Sequence, residues 1–104
     1  MMVSILHAKG DAHREPGMMT PAQLRAARAL LGWSREDLAK KAGVSDETIK
    51  GFELRGSDPR LGTVNKWRRA LEIAGVIFLD EDDSVGPGVR LAESSRKQLE
   101  GKKR

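Results

Sequence analysis

Residues 34–56 read SREDLAKKAGVSDETIKGFELRG, and this stretch decides the fold. It contains two short helical patterns that are separated only by Gly43, Val44 and Ser45. A glycine tolerates the positive φ angle of a tight turn, and a turn this short makes two helices cross at a large angle. Ala39 is small at the point where the second of these helices must cross the first. The spacing therefore predicts a helix-turn-helix unit.

Helix boundary signals occur three times around this unit. Thr20, Ser34 and Ser45 each stand where a hydroxyl can cap the free N–H groups of a helix, and Gln23 and Asp37 complete capping boxes. A glycine follows each of the three helices, as is common at helix C-termini. An apolar residue precedes each cap and another lies five positions later, which is the hydrophobic staple pattern. The staple pairs are Met19 with Leu24, Trp33 with Leu38, and Val44 with Ile49.

A fourth helix and then a change of period follow the unit. The fourth helix begins near Asp58 or Thr63, both of which are suitable caps. Beyond Gly75 the stretch 76–79 is β-branched and aromatic, and a second short apolar stretch, residues 89–91, follows a polar turn, which predicts a hairpin. We therefore expect an all-α fold, a compact bundle of four to five helices with a helix-turn-helix, followed by a short C-terminal β-hairpin.

These patterns divide the chain into four parts. We expect a flexible N-terminal arm over residues 1–18, a helix-turn-helix domain over 19–75, a β-hairpin over 76–91 and a basic flexible tail over 92–104. The first part shows no periodicity and contains glycine and proline, which favours a mobile arm. An alternative is that the natural start is Met18 or Met19.

Composition excludes several classes of function. The chain has no cysteine, and its two histidines, His7 and His13, lie outside any periodic segment, so we expect no disulfide framework, no metal site, no cofactor and no enzyme activity. Nineteen basic against fifteen acidic residues give a net charge of +4, which suits a polyanionic partner. The longest apolar run, residues 76–79, is far shorter than the roughly 20 residues of a membrane helix. We expect a soluble, cytoplasmic protein without a membrane partner.

The quoted stretch resembles the phage Cro and repressor (Xre-type) helix-turn-helix family. The resemblance runs from about Met19 to Val76 and is carried by Arg35 to Ser45, Thr48, Ile49, Glu53 to Gly56, Pro59 and Leu71. It implies a lambda-repressor-like, all-helical domain that binds double-stranded DNA, is commonly dimeric and regulates transcription. It also implies an ion pair with a structural role between Arg28 and Glu53.

The third helix, residues 46–55, is the predicted DNA reader, with its outer face in the major groove. Glu47 would accept a hydrogen bond from a cytosine amino group, whereas the alternative for Asp46 and Glu47 is that both complement the helix dipole. Gly51 is predicted to open the centre of this face to a close approach. Arg35 stands where the family usually has glutamine, and we expect it to reach a phosphate. The predicted DNA contacts are Ser34, Arg35, Ser45, Asp46, Glu47, Thr48, Lys50, Gly51, Arg55 and Arg60.

The sequence thus predicts a sequence-specific transcriptional regulator, most simply a repressor, that acts as a homodimer. An isolated hairpin is barely stable, so its apolar residues would be covered by a second copy. The predicted dimer contacts are Val76, Ile77, Phe78 and Leu79. The alternative is an antitoxin or anti-regulator that uses the same fold to bind a protein partner. An enzyme is disfavoured because no nucleophile–histidine set and no phosphate-binding loop is present.

Overall fold

The computed structural model describes residues 19–93 of the 104-residue chain. The elements are α1 (Pro21–Leu31), α2 (Arg35–Ala42), α3 (Asp46–Arg55), α4 (Leu61–Ile73), β1 (Val76–Leu79) and β2 (Gly88–Leu91). The two strands form one antiparallel sheet, so the predicted helical bundle with a C-terminal hairpin is confirmed. The predicted N-terminal arm lies outside the described residues, and so does the predicted tail except for Ala92 and Glu93. Within residues 19–93 no helix has the length and apolarity needed to traverse a lipid bilayer.

The starts of the first three helices are those that the boundary signals predict. The Thr20 hydroxyl accepts from the N–H of Gln23 at 3.0 Å, and the Gln23 side-chain oxygen accepts from the N–H of Thr20 at 2.9 Å. Ser34 and Asp37 make the same reciprocal pair, with both distances 2.9 Å. Ser45 caps α3 by accepting from the backbone N–H three residues later at 3.1 Å. Each cap satisfies N–H groups that an isolated helix leaves free.

The turn between α2 and α3 depends on Gly43. Its φ angle is 71°, in the left-handed region that residues other than glycine rarely adopt. The N–H groups of Gly43 and Val44 both donate to the carbonyl of Ala39, at 2.8 and 3.1 Å. This arrangement ends α2 and directs the chain into α3 within three residues, as a helix-turn-helix requires.

The predicted side-chain cap of α4 is wrong. The helix begins at Leu61 with Arg60 in the capping position, and no side chain caps it. The carbonyl of Arg60 accepts from the N–H groups of Thr63 and Val64, so Thr63 lies inside the first turn and Asp58 lies before it. Burial of an apolar stripe, rather than a cap, positions this helix. The buried residues of α4 are Val64, Trp67 and Leu71.

One hydrophobic core joins all four helices to the hairpin. Its buried members are Met19, Leu24, Ala27, Leu31, Leu38, Ala39, Ile49, Phe52, Val64, Trp67, Leu71 and Val76. Trp67 is fully buried, and its ring centroid lies 5.2 Å from that of Phe52, which joins α4 to α3. The staple residues Trp33 and Val44 are partly buried against the same core. The core therefore fixes the position of α3 relative to the other helices.

The hairpin packs one face against this core, which corrects part of the predicted dimer contact. Val76 pairs with Leu91 and Phe78 pairs with Val89, and all four residues face the core. Val76 is only 2% exposed, so it cannot contact a second copy, and Phe78 is partly buried. Successive residues of a strand point to opposite faces, so only Ile77, 40% exposed, and Leu79 remain on the other side.

Gln23 links the start of α1 to the hairpin. Its amide nitrogen donates to the carbonyl of Leu79 at 3.2 Å and to that of Gly88 at 3.0 Å, the two residues that pair at the end of the sheet. Gln23 is 5% exposed, and both bonds are partly buried. One side chain therefore both caps α1 and orients the hairpin against the helices.

We predict that Gln23→Leu lowers the free energy of unfolding by about 2–3 kcal/mol, because it leaves the carbonyls of Leu79 and Gly88 without their donor. Urea denaturation followed by circular dichroism measures this loss. Asn65→Leu, at an exposed amide on α4, is the matched control and should change the free energy by less than about 0.5 kcal/mol. Equal losses in the two variants would contradict the anchoring role.

Candidate nucleic-acid interface

The α2–α3 unit presents α3 with one face in the core and the other exposed. Ile49 and Phe52 are buried beneath the helix. The predicted DNA contacts that are exposed are Ser34, Ser45, Asp46, Glu47, Thr48, Lys50, Arg55 and Arg60. The hydroxyls of Ser45 and Thr48 lie 2.8 Å apart, so both of them contribute to the capped start of α3.

A cleft of about 450 Å³ lies between the N-terminal ends of α2 and α3. Its lining residues are Arg28, Ser34, Arg35, Glu36, Asp46, Glu47 and Lys50. The structure thus brings together five of the ten predicted contacts, whereas Ser45, Thr48, Gly51, Arg55 and Arg60 do not line the cleft. Three basic and three acidic side chains face one another across it, so the cleft is electrostatically mixed. A surface of this kind favours ligands that match the arrangement of charges rather than any polyanion.

A buried ion pair fastens α3 to α1. The guanidinium of Arg28 makes two parallel bonds of 2.7 Å to the carboxylate oxygens of Glu53, whose side chain is fully buried. Arg28 also donates to the carbonyl of Trp33 at 3.0 Å, and Arg25 donates to the backbone carbonyl of Glu53 at 2.6 Å. The pair that the family resemblance implies is therefore present, and it holds the C-terminal half of α3.

Arg35 contacts the same carboxylate from α2. Its Nη1 lies 3.5 Å from Oε1 of Glu53, and its side chain is 36% exposed at the edge of the cleft. Because Arg28 already binds both oxygens of Glu53 at 2.7 Å, Arg35 is the weaker partner. Its positive charge is thus available to a ligand that enters the cleft.

Gly51 does not lie in an open position, contrary to the prediction. The residue is buried, and a Cβ atom built on it would lie 2.9 Å from the Ser57 hydroxyl and 3.0 Å from Nη2 of Arg55. The chain turns back after α3, so side chains from beyond the middle of the helix cover the glycine. A close approach of DNA to the Gly51 backbone is therefore blocked in this conformation.

The carboxylates around the cleft have different surroundings. The backbone N–H of Ser34 donates to Asp37 and holds the pKa of that carboxyl below its ordinary value, so Asp37 is charged at neutral pH. Asp46 and Glu47 are exposed in the first turn of α3, where negative charge complements the helix dipole. Among residues 19–93 no group of three or more acidic or histidine side chains is arranged to hold a metal ion.

Sequence reasoning missed two contacts of this region. Arg25 lies one turn before Arg28 on α1, and that spacing on one helix was the available signal for a second arginine directed toward α3. Lys41 lies 5.8 Å from the ring centroid of Trp33, a cation–π distance. No local pattern could have shown that contact, because Trp33 precedes α2 and Lys41 lies near its end.

Comparison with known proteins agrees with this geometry. A family model described as helix-turn-helix matches residues 24–76, just over half of the chain. The chain belongs to this helix-turn-helix family. The family consists of DNA-binding regulators and not enzymes, so the assignment supports a DNA-binding regulator and confirms the predicted Xre-type resemblance.

The curated relatives match a smaller part. Antitoxin HigA1 of Mycobacterium tuberculosis, from strains CDC 1551 / Oshkosh and ATCC 25618 / H37Rv, is 44% identical to this chain over 39 residues. The match covers 38% of this chain and 26% of each relative. The similarity to these antitoxins therefore extends over about a quarter of their length.

We predict that Glu53→Leu lowers the free energy of unfolding by about 3–5 kcal/mol, because it leaves the Arg28 charge without its carboxylate. Thermal and urea denaturation measure the loss. Replacing both partners, Arg28→Met with Glu53→Leu, should recover part of it. Glu72→Leu removes an exposed carboxylate from a surface pair with Arg68 and should cost less than about 1 kcal/mol. Similar losses for Glu53→Leu and Glu72→Leu would disprove the role of the buried pair.

Proposed function

We propose that this protein is a sequence-specific transcriptional regulator, a repressor that binds double-stranded DNA as a dimer with α3 in the major groove. The observation that carries the proposal is the presentation of α3. Its inner side is held by Ile49, Phe52 and the Glu53 carboxylate, while Glu47 and Lys50 are exposed on its first two turns. A rigid helix with one free polar face suits direct reading of base edges.

Basic side chains at two helix starts supply phosphate contacts in this proposal. Arg35 begins α2 and Arg60 precedes α4, and each is at least partly exposed. The capped start of α2 at Ser34 adds the positive end of a helix dipole. Phosphate contacts set the register and orientation of a protein on DNA, whereas the side chains within the groove supply the sequence preference.

Glu47 is the proposed base-reading side chain, and Lys50 beside it is proposed to contact a phosphate. A carboxylate accepts from the amino group of cytosine, whereas an ammonium at a phosphate adds affinity on any sequence. The acids at Asp46 and Glu47 repel phosphates, so the surface should bind random DNA weakly and discriminate between sequences. If these acids serve only the helix dipole, replacing Glu47 will not change the preferred base.

Dimer formation is proposed through the outer face of the hairpin. One helix-turn-helix domain covers few base pairs, so useful affinity requires two copies on a two-fold site. Ile77 is 40% exposed, and Leu79 shares its side of the sheet. Both strands of a two-stranded sheet also have an unpaired edge, which a second copy can cover.

A second candidate function is that of an antitoxin which binds a protein partner. The similarity to Antitoxin HigA1 favours it, and so does the exposed acidic group of Glu36, Asp46 and Glu47. Such a protein would co-purify with its partner. The salt dependence of the affinity for duplex DNA distinguishes the two functions. A protein-binding module that does not bind DNA shows no such salt-dependent affinity.

We predict distinct effects for two substitutions in a selection of bound sequences from random duplex DNA. Glu47→Gln should change the preferred base at one position of each half-site, because the amide can donate as well as accept. Lys50→Ala should lower affinity more uniformly and flatten its salt dependence. Lys66→Ala, at an exposed lysine on α4, is the matched control and should leave the selected sequence unchanged. If neither α3 variant alters the selection, α3 is not the reader.

The dimer is tested by size-exclusion chromatography with light scattering at micromolar concentration. We expect the mass of two chains, and we expect Ile77→Asp to shift the protein toward a monomer because it places a charge in the apolar contact. Leu54→Asp introduces the same charge at an exposed leucine on α3 and should leave the mass unchanged. A monomeric wild-type protein at this concentration would contradict the dimer.

A further inference from the structure

An arginine side chain lies over the middle of α3, at a residue that has no side chain of its own. Gly51 has no side chain, and the space that its Cβ would occupy lies 3.0 Å from Nη2 of Arg55. Residues four apart lie on the same face of a helix, so the Arg55 side chain runs back along α3 by about one turn. The guanidinium thus lies over Gly51 rather than at the end of the helix.

Two further contacts hold the chain in this arrangement. The Gly56 N–H donates to the carbonyl of Phe52 at 3.0 Å, and the Ser57 N–H donates to the carbonyl of Gly51 at 3.3 Å. The Ser57 hydroxyl would be 2.9 Å from a Cβ on Gly51. The C-terminal turn of α3 therefore folds over Gly51, and the absent side chain is what leaves room for it.

The Arg55 guanidinium lies next to Gly51, yet it belongs to an exposed residue. No carboxylate of residues 19–93 forms an ion pair with it. Arg28 and Arg35, in contrast, both contact Glu53. Arg55 therefore has donors available to a ligand while its guanidinium lies next to Gly51.

We propose that Gly51 is a positioning residue that places Arg55 on the outer face of α3, and that Arg55 reads guanine there. This inference rests on the proposed function of α3 as the DNA reader. The guanidinium has two parallel N–H groups that match the O6 and N7 acceptors of guanine in the major groove. A side chain that already lies along the helix loses less conformational freedom on binding, which favours affinity.

A substitution at position 51 tests the positioning of Arg55 separately from the folding of the protein. Gly51→Ala adds a Cβ that displaces Arg55 and Ser57, but both contacts are with side-chain ends that can rotate. Alanine is also the better helix former, so the variant should fold with an unchanged or raised melting temperature. Its DNA binding should nonetheless weaken, which a general loss of structure cannot explain.

The experiment first selects duplexes from random DNA with the wild-type protein, and then measures the affinity of each variant for the selected duplex by fluorescence anisotropy. Arg55→Ala should lose about ten- to a hundredfold in affinity and lose the preference for guanine at one position of each half-site. Gly51→Ala should lose the same preference. Adding Gly51→Ala to Arg55→Ala should have no further effect, because both act through one contact.

Two controls separate base reading from other effects. Gly62→Ala changes a glycine of α4 whose Cβ would meet open space, and it should alter neither affinity nor preference. A duplex with 7-deazaguanine at the read position lacks the N7 acceptor. The wild-type protein should bind it more weakly than the duplex with guanine, whereas the Arg55→Ala variant should bind both duplexes with the same affinity.

The outcomes are distinguishable. If Arg55→Ala weakens all sequences equally and only reduces the salt dependence, Arg55 contacts phosphate and the reading role is overturned. If Gly51→Ala keeps the guanine preference that Arg55→Ala loses, the positioning role of Gly51 is overturned. A wild-type protein that selects no sequence overturns the proposed function itself, and this inference with it.

Discussion

The buried pair between Arg28 and Glu53 is the interaction on which the proposed interface depends. α3 has only 10 residues, and its apolar contact with the core rests mainly on Ile49 and Phe52. A buried carboxylate must be paired, so Glu53 can occupy its place only when α1 and α3 are in their native relation. The pair therefore specifies how α3 is oriented and which of its faces remains exposed.

Two polar side chains of this domain each have two roles. Gln23 caps α1 through its oxygen and anchors the hairpin through its nitrogen. Arg28 neutralises Glu53 and also satisfies the carbonyl of Trp33 in the link between α1 and α2. A domain of this size buries a limited core, so polar side chains that join distant segments supply much of its specificity. The hairpin and the helix-turn-helix are joined in this way into one packed unit.

Local signals explain why three of the four helices were predictable. A cap at Thr20, Ser34 or Ser45 acts on N–H groups within three residues, so the pattern in the sequence is the physical cause of the helix start. α4 lacks such a cap, and its start at Leu61 follows from packing of Trp67 and its neighbours. Packing likewise decides which hairpin residues are accessible, because the strand buries Val76 on one face and leaves Ile77 exposed on the other.

The sequence by itself determined the helix-turn-helix, its short turn at Gly43 and the family to which the chain belongs, because those features arise from residues close together in the chain. The tertiary structure alone decided the exposure of the candidate contacts. The side chains of Arg55 and Ser57, which follow Gly51 in the chain, cover it. The Gln23 side chain donates hydrogen bonds to carbonyls more than 50 residues away in the sequence. Such contacts depend on the packed arrangement of whole elements, which no local pattern encodes.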